Sequence, residues 1–162
     1  MTEETLKIIE QVHRIFIERG LSLSVAESCT GGLLSHYLTS LAGSSRFFEA
    51  GVVTYSALSK QKILGISAST FSSYGLVSRQ TAAEMADRMR LITGTDYSLS
   101  TTGNLGPEVL EGKEKGLVYC GISKQGKTVV KELRLKGSRD QNKEEAALLL
   151  LGFLLEELAG RL

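Results

Sequence analysis

The sequence has little cysteine, no long apolar run and almost no net charge. Its two cysteines, Cys29 and Cys120, are too few for a disulfide framework and lie in no spacing typical of zinc, so we expect no bound metal. The longest apolar run, residues 146–153, is too short to span a bilayer. The N-terminus is acidic and amphipathic, unlike a secretory signal. These absences predict a cytoplasmic protein without a membrane partner.

Charge is balanced, with 19 basic and 18 acidic residues and a net charge of +1. Such a chain creates no long-range field to gather nucleic acid, so we expect no nucleic-acid partner. The balance still leaves room for a local basic pocket that binds one small anion. The length of 162 residues, with 42% apolar and 23% charged residues, predicts one globular domain spanning residues 1–162.

The hydrophobic pattern switches between strand and helix periods along the chain. Five strands are predicted, at residues 21–26, 47–55, 97–102, 117–123 and 129–135. Helices are predicted at residues 6–16, 33–41, 56–64, 78–92 and 142–158, with a helical turn at 67–73. The segment 103–116 is predicted to be a loop. This order implies an α/β fold, a three-layer α/β/α sandwich with a mixed sheet.

Ser28 stands at the junction of a predicted buried strand and the next helix, just before Thr30-Gly31-Gly32. The two glycines allow a tight turn and a close backbone approach to a ligand. Free amides at a helix start bind a phosphate, a carboxylate or a developing oxyanion, and open α/β sheets bind ligands at the carboxyl ends of strands. Two interpretations stay open: Ser28 is a nucleophile, or Ser28 or Thr30 caps the helix.

A nucleophilic serine needs a base, and the two histidines are poor candidates. His13 and His36 lie within predicted helices, where each is expected to face solvent or to be a satisfied core residue. Lysine serves instead when burial lowers its pKa, with tyrosine relaying a proton. Tyr55 ends the second strand, and Lys60 follows just over one helical turn later. On these residues alone, a packed Tyr55 and a solvated Lys60 remain the alternative.

Three further groups of residues are weighed as ligand contacts. One group ends a strand and begins a loop, where it either contacts a ligand or forms a structural turn: Thr101, Thr102, Gly103 and Asn104. Arg139 and Lys143, near the start of the last helix, either meet a phosphate or are exposed helix-end charges. Cys29 is expected to point into the core, because small buried cysteines are commoner than reactive ones.

A seven-residue motif, Ala26-Glu27-Ser28-Cys29-Thr30-Gly31-Gly32, opens a series of short matches that run in order along nearly the whole chain. The series continues through Ala42-Gly43-Ser44-Ser45, Gly51-Val52-Val53-Thr54-Tyr55-Ser56, Lys60, Leu64-Gly65, Gly75-Leu76-Val77-Ser78, Ala82, Met85-Ala86, Thr102-Gly103, Gly106-Pro107 and Arg139-Asp140. Together these motifs resemble the CinA C-terminal family, the nicotinamide-nucleotide amidohydrolases, in its stand-alone form.

The resemblance implies deamidation of nicotinamide mononucleotide (NMN) to nicotinate mononucleotide and ammonia, without a metal or an organic cofactor. It places the family's serine on Ser28, its tyrosine on Tyr55 and its lysine on Lys60. Ser28 would then attack the carboxamide carbon after giving its proton to Lys60, directly or through Tyr55. The expected substrate-binding residues, from the glycine turn, the loop after the third strand and the last helix, are Thr30, Gly31, Gly32, Thr102, Gly103, Asn104 and Arg139.

One segment departs from the family pattern, which has Gly-Ile-Ala-Gly-Pro, a Gly-Gly pair and then Lys-Pro-Val-Gly. Here residues 103–116 lack the glycine pair and the second proline. Bulkier residues restrict backbone approach to a ligand, so two alternatives stay open. One is a nucleotide-binding or regulatory protein without turnover, and the other is a hydrolase of a different amide. The apolar last helix also predicts a homo-oligomer, with a dimer as the expected assembly.

Overall fold

Five strands and six α-helices make up the described part of the chain, residues 1–160 of a computed structural model. The strands are β1 (Leu23–Glu27), β2 (Phe48–Val53), β3 (Tyr97–Gly103), β4 (Leu117–Lys124) and β5 (Lys127–Arg134). The helices are α1 (Glu3–Arg19), α2 (Leu33–Leu38), α3 (Ala57–Leu64), α4 (Ala68–Tyr74), α5 (Arg79–Thr93) and α6 (Arg139–Leu158). None of these helices is long and apolar enough to cross a membrane.

The strands form one mixed sheet in the order β2-β1-β3-β4-β5. β1 pairs in parallel with β2 and β3, whereas β4 runs antiparallel to both β3 and β5. The predicted α/β fold with a mixed sheet is therefore confirmed. Because β1, β2 and β3 are parallel, their carboxyl ends meet at one edge of the sheet, at Glu27, Val53 and Gly103. The segments predicted to carry chemistry all leave the sheet at this edge.

Helices cover both faces of the sheet. On one face, α1, α2 and α6 bury the larger core, with Phe16, Leu38 and Leu150 among its fully buried side chains. On the other face, a smaller cluster packs Leu64 of α3 and Met85 of α5 against the sheet. Every residue of β1 is buried, since a parallel strand between two helical layers faces no solvent.

Several helix ends differ from the predicted ones, and two of these differences follow from side-chain capping. α6 begins at Arg139, three residues before the prediction, because Ser138 and Gln141 form a reciprocal capping box. α2 ends at Leu38 rather than at residue 41. There the Thr39 hydroxyl donates to the Ser35 carbonyl oxygen at 2.8 Å, so a side chain bonds to a backbone acceptor of the last helical turn.

Candidate active site

The turn that carries Ser28 is organised by the carboxylate of Glu27, the last residue of β1. Glu27 is fully buried and accepts hydrogen bonds from Thr30 Oγ1 at 2.6 Å and from the amides of Gly32 at 3.2 Å and Ser35 at 3.0 Å. Gly32 is the N-cap of α2 and has no side chain to cap it, so Glu27 supplies the acceptor for the free amides. The carboxylate thus fixes the backbone that follows the serine.

The two glycines of the turn take backbone conformations that other residues rarely adopt. Gly31 has a φ of 58° and Gly32 a φ of 101°. Their amides donate inside the turn, to Ser28 O at 3.0 Å and to Glu27 Oε1 at 3.2 Å. These amides are therefore not free for a substrate.

Lys60 reaches Ser28 from the first turns of α3, a helix that begins with a capping box of Ser56 and Ser59. Lys60 is only 1% exposed. Its Nζ lies 2.8 Å from Ser28 Oγ, 2.6 Å from the Thr54 carbonyl oxygen and 3.2 Å from the Tyr55 carbonyl oxygen. The structure therefore brings the predicted serine and lysine into direct hydrogen-bonding contact.

Burial sets the protonation of the two groups that flank Ser28. Desolvation lowers the pKa of Lys60 from 10.5 to about 8, so at pH 7 about one amine in ten is the free base. Desolvation also raises the pKa of the Cys29 thiol to about 12, which keeps it protonated and a weak nucleophile. Cys29 packs in the larger core, as its sequence context predicted, although it also borders the cavity beside Ser28.

Tyr55 lies at the mouth of the site and is 59% exposed. Its hydroxyl accepts a hydrogen bond from Arg139 Nη2 at 2.9 Å, and Arg139 Nη1 donates to the Gly106 carbonyl oxygen at 2.7 Å. The side chain of Tyr55 thus pairs with Arg139, whereas only its backbone carbonyl meets Lys60. Arg139, at the start of α6, is thereby brought to the same sheet edge as the serine.

Two adjoining cavities lie at this edge. The inner one, about 90 Å³, is bordered by Ser28, Lys60, Thr102 and Gly103 together with the apolar side chains Leu76, Val77 and Leu110. The outer one, about 400 Å³, is bordered by Asn104, Gly106, Pro107, Glu108 and Arg139. Tyr55 and Leu110 belong to both walls. These two residues therefore lie where the two cavities adjoin.

The remaining residues predicted to bind substrate differ in what their side chains do. The buried hydroxyl of Thr30 donates to the Glu27 carboxylate and lies 2.8 Å from the Thr101 hydroxyl, so it stabilises the turn after β1. Thr102 Oγ1 donates to the Leu76 carbonyl oxygen at 2.8 Å. The side-chain oxygen of Asn104 accepts from the Gly106 amide at 3.1 Å, which shapes the loop.

Gly103 borders the inner cavity, and the packing around it leaves no room for a side chain. An added Cβ at this position would lie 2.7 Å from Val118 Cγ2 on β4. Near the turn, a Cβ added to Gly31 would lie 3.5 Å from Lys143 Nζ, which places that amine beside the residues following Ser28.

Neither histidine belongs to the site. His13 is buried, its Nε2 lies 2.9 Å from the Leu38 carbonyl oxygen, and its ring packs edge-on against Phe47. His36 is exposed on α2. No group of three His, Cys, Asp or Glu side chains within residues 1–160 is placed to hold a metal ion.

The residues that position the site, rather than react in it, were not predicted in that role. Glu27 and Thr101 hold the serine turn, and Leu76 and Leu110 form apolar walls. For Glu27 a signal existed, because an acidic residue just before an uncapped helix start is a natural partner for its amides. For Leu110 the sequence held no such signal, since a loop apex has no periodicity that predicts where it packs.

A buried Ser–Lys pair at the carboxyl edge of a parallel sheet region defines this chain as an α/β protein with a candidate acyl-transfer site. Its sequence matches the model of the CinA C-terminal domain over residues 5–158. The chain belongs to this family.

Relatives in sequence support this family membership. A CinA-like protein of Kosmotoga olearia is 42% identical over 157 residues, which are 96% of this chain and 38% of that protein. A protein of Alkaliphilus oremlandii named as competence-damage inducible is 44% identical over 160 residues, 98% of this chain and 39% of that protein. The chain thus spans less than half the length of these relatives.

Solved structures share the fold over almost their full length. The competence damage-inducible protein A of Klebsiella pneumoniae superposes with a TM-score of 0.93 at 33% identity, covering 96% of this chain and 97% of that chain. A competence/damage inducible protein of Agrobacterium tumefaciens gives a TM-score of 0.93 at 31% identity, covering 98% of each chain. These names describe the neighbours' induction and carry no statement of a reaction.

Proposed function

We propose that this protein is a serine amidohydrolase that deamidates NMN or a closely related nucleotide carboxamide. The observation that carries the proposal is the set of three oxygen atoms around Lys60 Nζ. Two are backbone carbonyl oxygens, which can only accept, whereas Ser28 Oγ can also donate. A neutral amine that donates its two hydrogens to the carbonyls turns its lone pair toward the Ser28 hydroxyl. Lys60 is thereby oriented as the base.

The reaction follows from this geometry. Ser28 Oγ attacks the carboxamide carbon while its proton passes to Lys60, which becomes an ammonium ion. Lys60 then returns the proton to the amide nitrogen, the carbon–nitrogen bond breaks, and ammonia leaves an ester on Ser28. Water adds to that ester with Lys60 again accepting the proton, and Lys60 then returns a proton to Ser28 Oγ as the bond between Oγ and the acyl carbon breaks. The carboxylic acid that is released gives its proton to ammonia. The net change is amide plus water to carboxylate plus ammonium.

The two cavities support a substrate with distinct inner and outer parts. The inner cavity is far smaller than a typical pocket of about 300–1,000 Å³, so it suits the reacting carboxamide and the edge of its ring. The outer cavity presents the guanidinium of Arg139, a group that pairs well with phosphate oxygens. A nucleotide monophosphate that bears a carboxamide fits this division.

The test is release of ammonia and nicotinate mononucleotide from NMN by the wild type and by Ser28→Ala. We expect the substitution to abolish release. Ser98→Ala is the control, because Ser98 is a fully buried serine of β3 and its hydroxyl has no hydrogen-bond partner within residues 1–160. Equal rates for the wild type and Ser28→Ala, or equal losses in both variants, contradict the proposal.

A second candidate, a nucleotide-binding protein without turnover, is favoured by the narrow inner cavity under Leu110. Calorimetry with NMN separates the two functions. Binding to the wild type without any product after prolonged incubation supports the second candidate, whereas turnover eliminates it.

A further inference from the structure

The loop between β3 and β4 is fastened to the opposite side of the active-site mouth. The Glu111 carboxylate accepts hydrogen bonds from the amides of Leu76 and Val77, each at 2.9 Å. Lys113 Nζ donates to the Tyr74 carbonyl oxygen at 3.0 Å and to the Val77 carbonyl oxygen, and it lies 3.6 Å from the Glu111 carboxylate. We call this set, Glu111 and Lys113 with the backbone of residues 74–77, the loop clasp.

The clasp determines where Leu110 lies. Leu110 directly precedes Glu111, and its carbonyl accepts a 2.9 Å hydrogen bond from the Lys113 amide in a tight turn. Its side chain is 47% exposed and belongs to the walls of both cavities. An apolar side chain that borders both cavities contacts a ligand that extends from one into the other.

Three residues that border the inner cavity together with Ser28 and Lys60 share one chemistry. Leu76, Val77 and Leu110 are apolar, and the nearby Thr102 hydroxyl donates to the Leu76 carbonyl oxygen. A polar, linear substituent next to the carboxamide would lose its water here without gaining hydrogen bonds. A flat aromatic ring would bury its faces against these apolar side chains instead.

We propose that Leu110 determines specificity by contacting the group that bears the carboxamide, and that it selects planar ring carboxamides over aliphatic ones. The inference rests on the proposed amidohydrolase function for its natural substrate. The shape of the inner cavity, however, can be measured without any assumption about that substrate.

The experiment measures how fast Ser28 is modified by two serine-directed reagents, phenylmethanesulfonyl fluoride and methanesulfonyl fluoride. Each forms a sulfonate ester on Ser28 Oγ with loss of fluoride, and peptide mass spectrometry locates the adduct. In the wild type we expect the phenyl reagent to react faster. Leu110→Ala is expected to lower the phenyl-to-methyl rate ratio about tenfold, in the range that loss of an apolar pocket contact produces.

Val109→Ala is the matched control. Val109 is the neighbouring residue, is 61% exposed and does not border either cavity within the described chain. It is expected to keep the wild-type ratio, and the melting temperatures of both variants, measured in parallel, are expected to equal that of the wild type. A ratio unchanged in Leu110→Ala, or lowered equally in Val109→Ala, overturns the inference, as does absence of any Ser28 adduct in the wild type.

NMN turnover, measured beside the labelling, keeps the two claims apart. A Leu110-dependent labelling ratio without NMN turnover contradicts the proposed function and keeps the inference. Turnover with equal labelling ratios in all three proteins keeps the function and overturns the inference. If both hold, Leu110→Ala raises KM for NMN about tenfold with little change in kcat, because the contact is made before and during the reaction.

Discussion

Replacing Lys60 with methionine removes the amine and keeps an unbranched side chain of similar size. With a pKa of about 8 rather than 10.5, the buried amine offers roughly 300 times more free base at pH 7 than an exposed lysine would. A positioned base of this kind contributes about 10²–10⁴-fold to the rate. We therefore expect Lys60→Met to lower kcat for NMN by about 10²–10⁴-fold.

The same pKa fixes how the wild-type rate depends on pH. Below about pH 8, each unit of pH is expected to raise kcat/KM about tenfold, and above it the rate levels off, because only the neutral amine accepts the serine proton. The assay is ammonia release between pH 6 and 9.5, with Ser28 labelling by phenylmethanesulfonyl fluoride as a second readout. A flat profile, or Lys60→Met activity within tenfold of the wild type, would contradict the role of Lys60 as the base.

Stability adds an independent check on Lys60. Its folded pKa, about 8, lies below the unfolded value of about 10.4, so between these values the unfolded chain binds more protons. The stabilisation from this group is complete above the unfolded pKa and is lost as pH falls through the folded one. The melting temperature of the wild type relative to Lys60→Met should therefore rise from pH 8 to 10. A constant difference would contradict burial of the amine.

Three further substitutions test the surroundings of the pair. Tyr55→Phe is expected to lower kcat by less than about tenfold, because the hydroxyl contacts Arg139; a loss of about 10²-fold or more would indicate that Tyr55 relays the proton. Gly32→Ala, at a φ of 101°, should lower the free energy of unfolding by about 1–3 kcal/mol. Its control, Gly152→Ala in α6, has open space around an added Cβ and should raise that free energy by about 0.5–1 kcal/mol. A denaturant titration that ranks the two variants the other way would contradict the strained backbone at Gly32. Glu27→Gln should cost about 1–3 kcal/mol, since an amide cannot accept all the bonds that the carboxylate accepts, and an unchanged unfolding midpoint would contradict its role.

The mixed sheet and the proximity of Ser28 to Lys60 could be predicted from the sequence. Residues that follow parallel strands gather at one edge, so Ser28 after β1 and Lys60 soon after β2 had to be neighbours. The early start of α6 was also readable, because Ser138 and Gln141 have capping-box spacing. Thr30 shows the limit of such reasoning: its residue type suits a ligand, but its hydroxyl is taken by Glu27 and Thr101.

What the sequence could not predict depends on tertiary burial. The pKa of Lys60 falls only because α3 packs its amine against the ends of β1 and β2, and lysine in a helix otherwise faces solvent. The partner of the Tyr55 hydroxyl, Arg139, lies 84 residues away along the chain. The position of Leu110 likewise depends on contacts between its loop and residues 74–77, which no local pattern encodes.

The proposed mechanism requires that Ser28 forms a covalent acyl intermediate with Lys60 as its base. The direct measurement is peptide mass spectrometry of the protein quenched in acid during turnover of NMN. We expect the nicotinoyl nucleotide as an ester on the peptide that contains Ser28, more of it in the wild type than in Lys60→Met and none in Ser28→Ala. Product formation with that peptide unmodified, or with the acyl group on Cys29 or another residue, would contradict it.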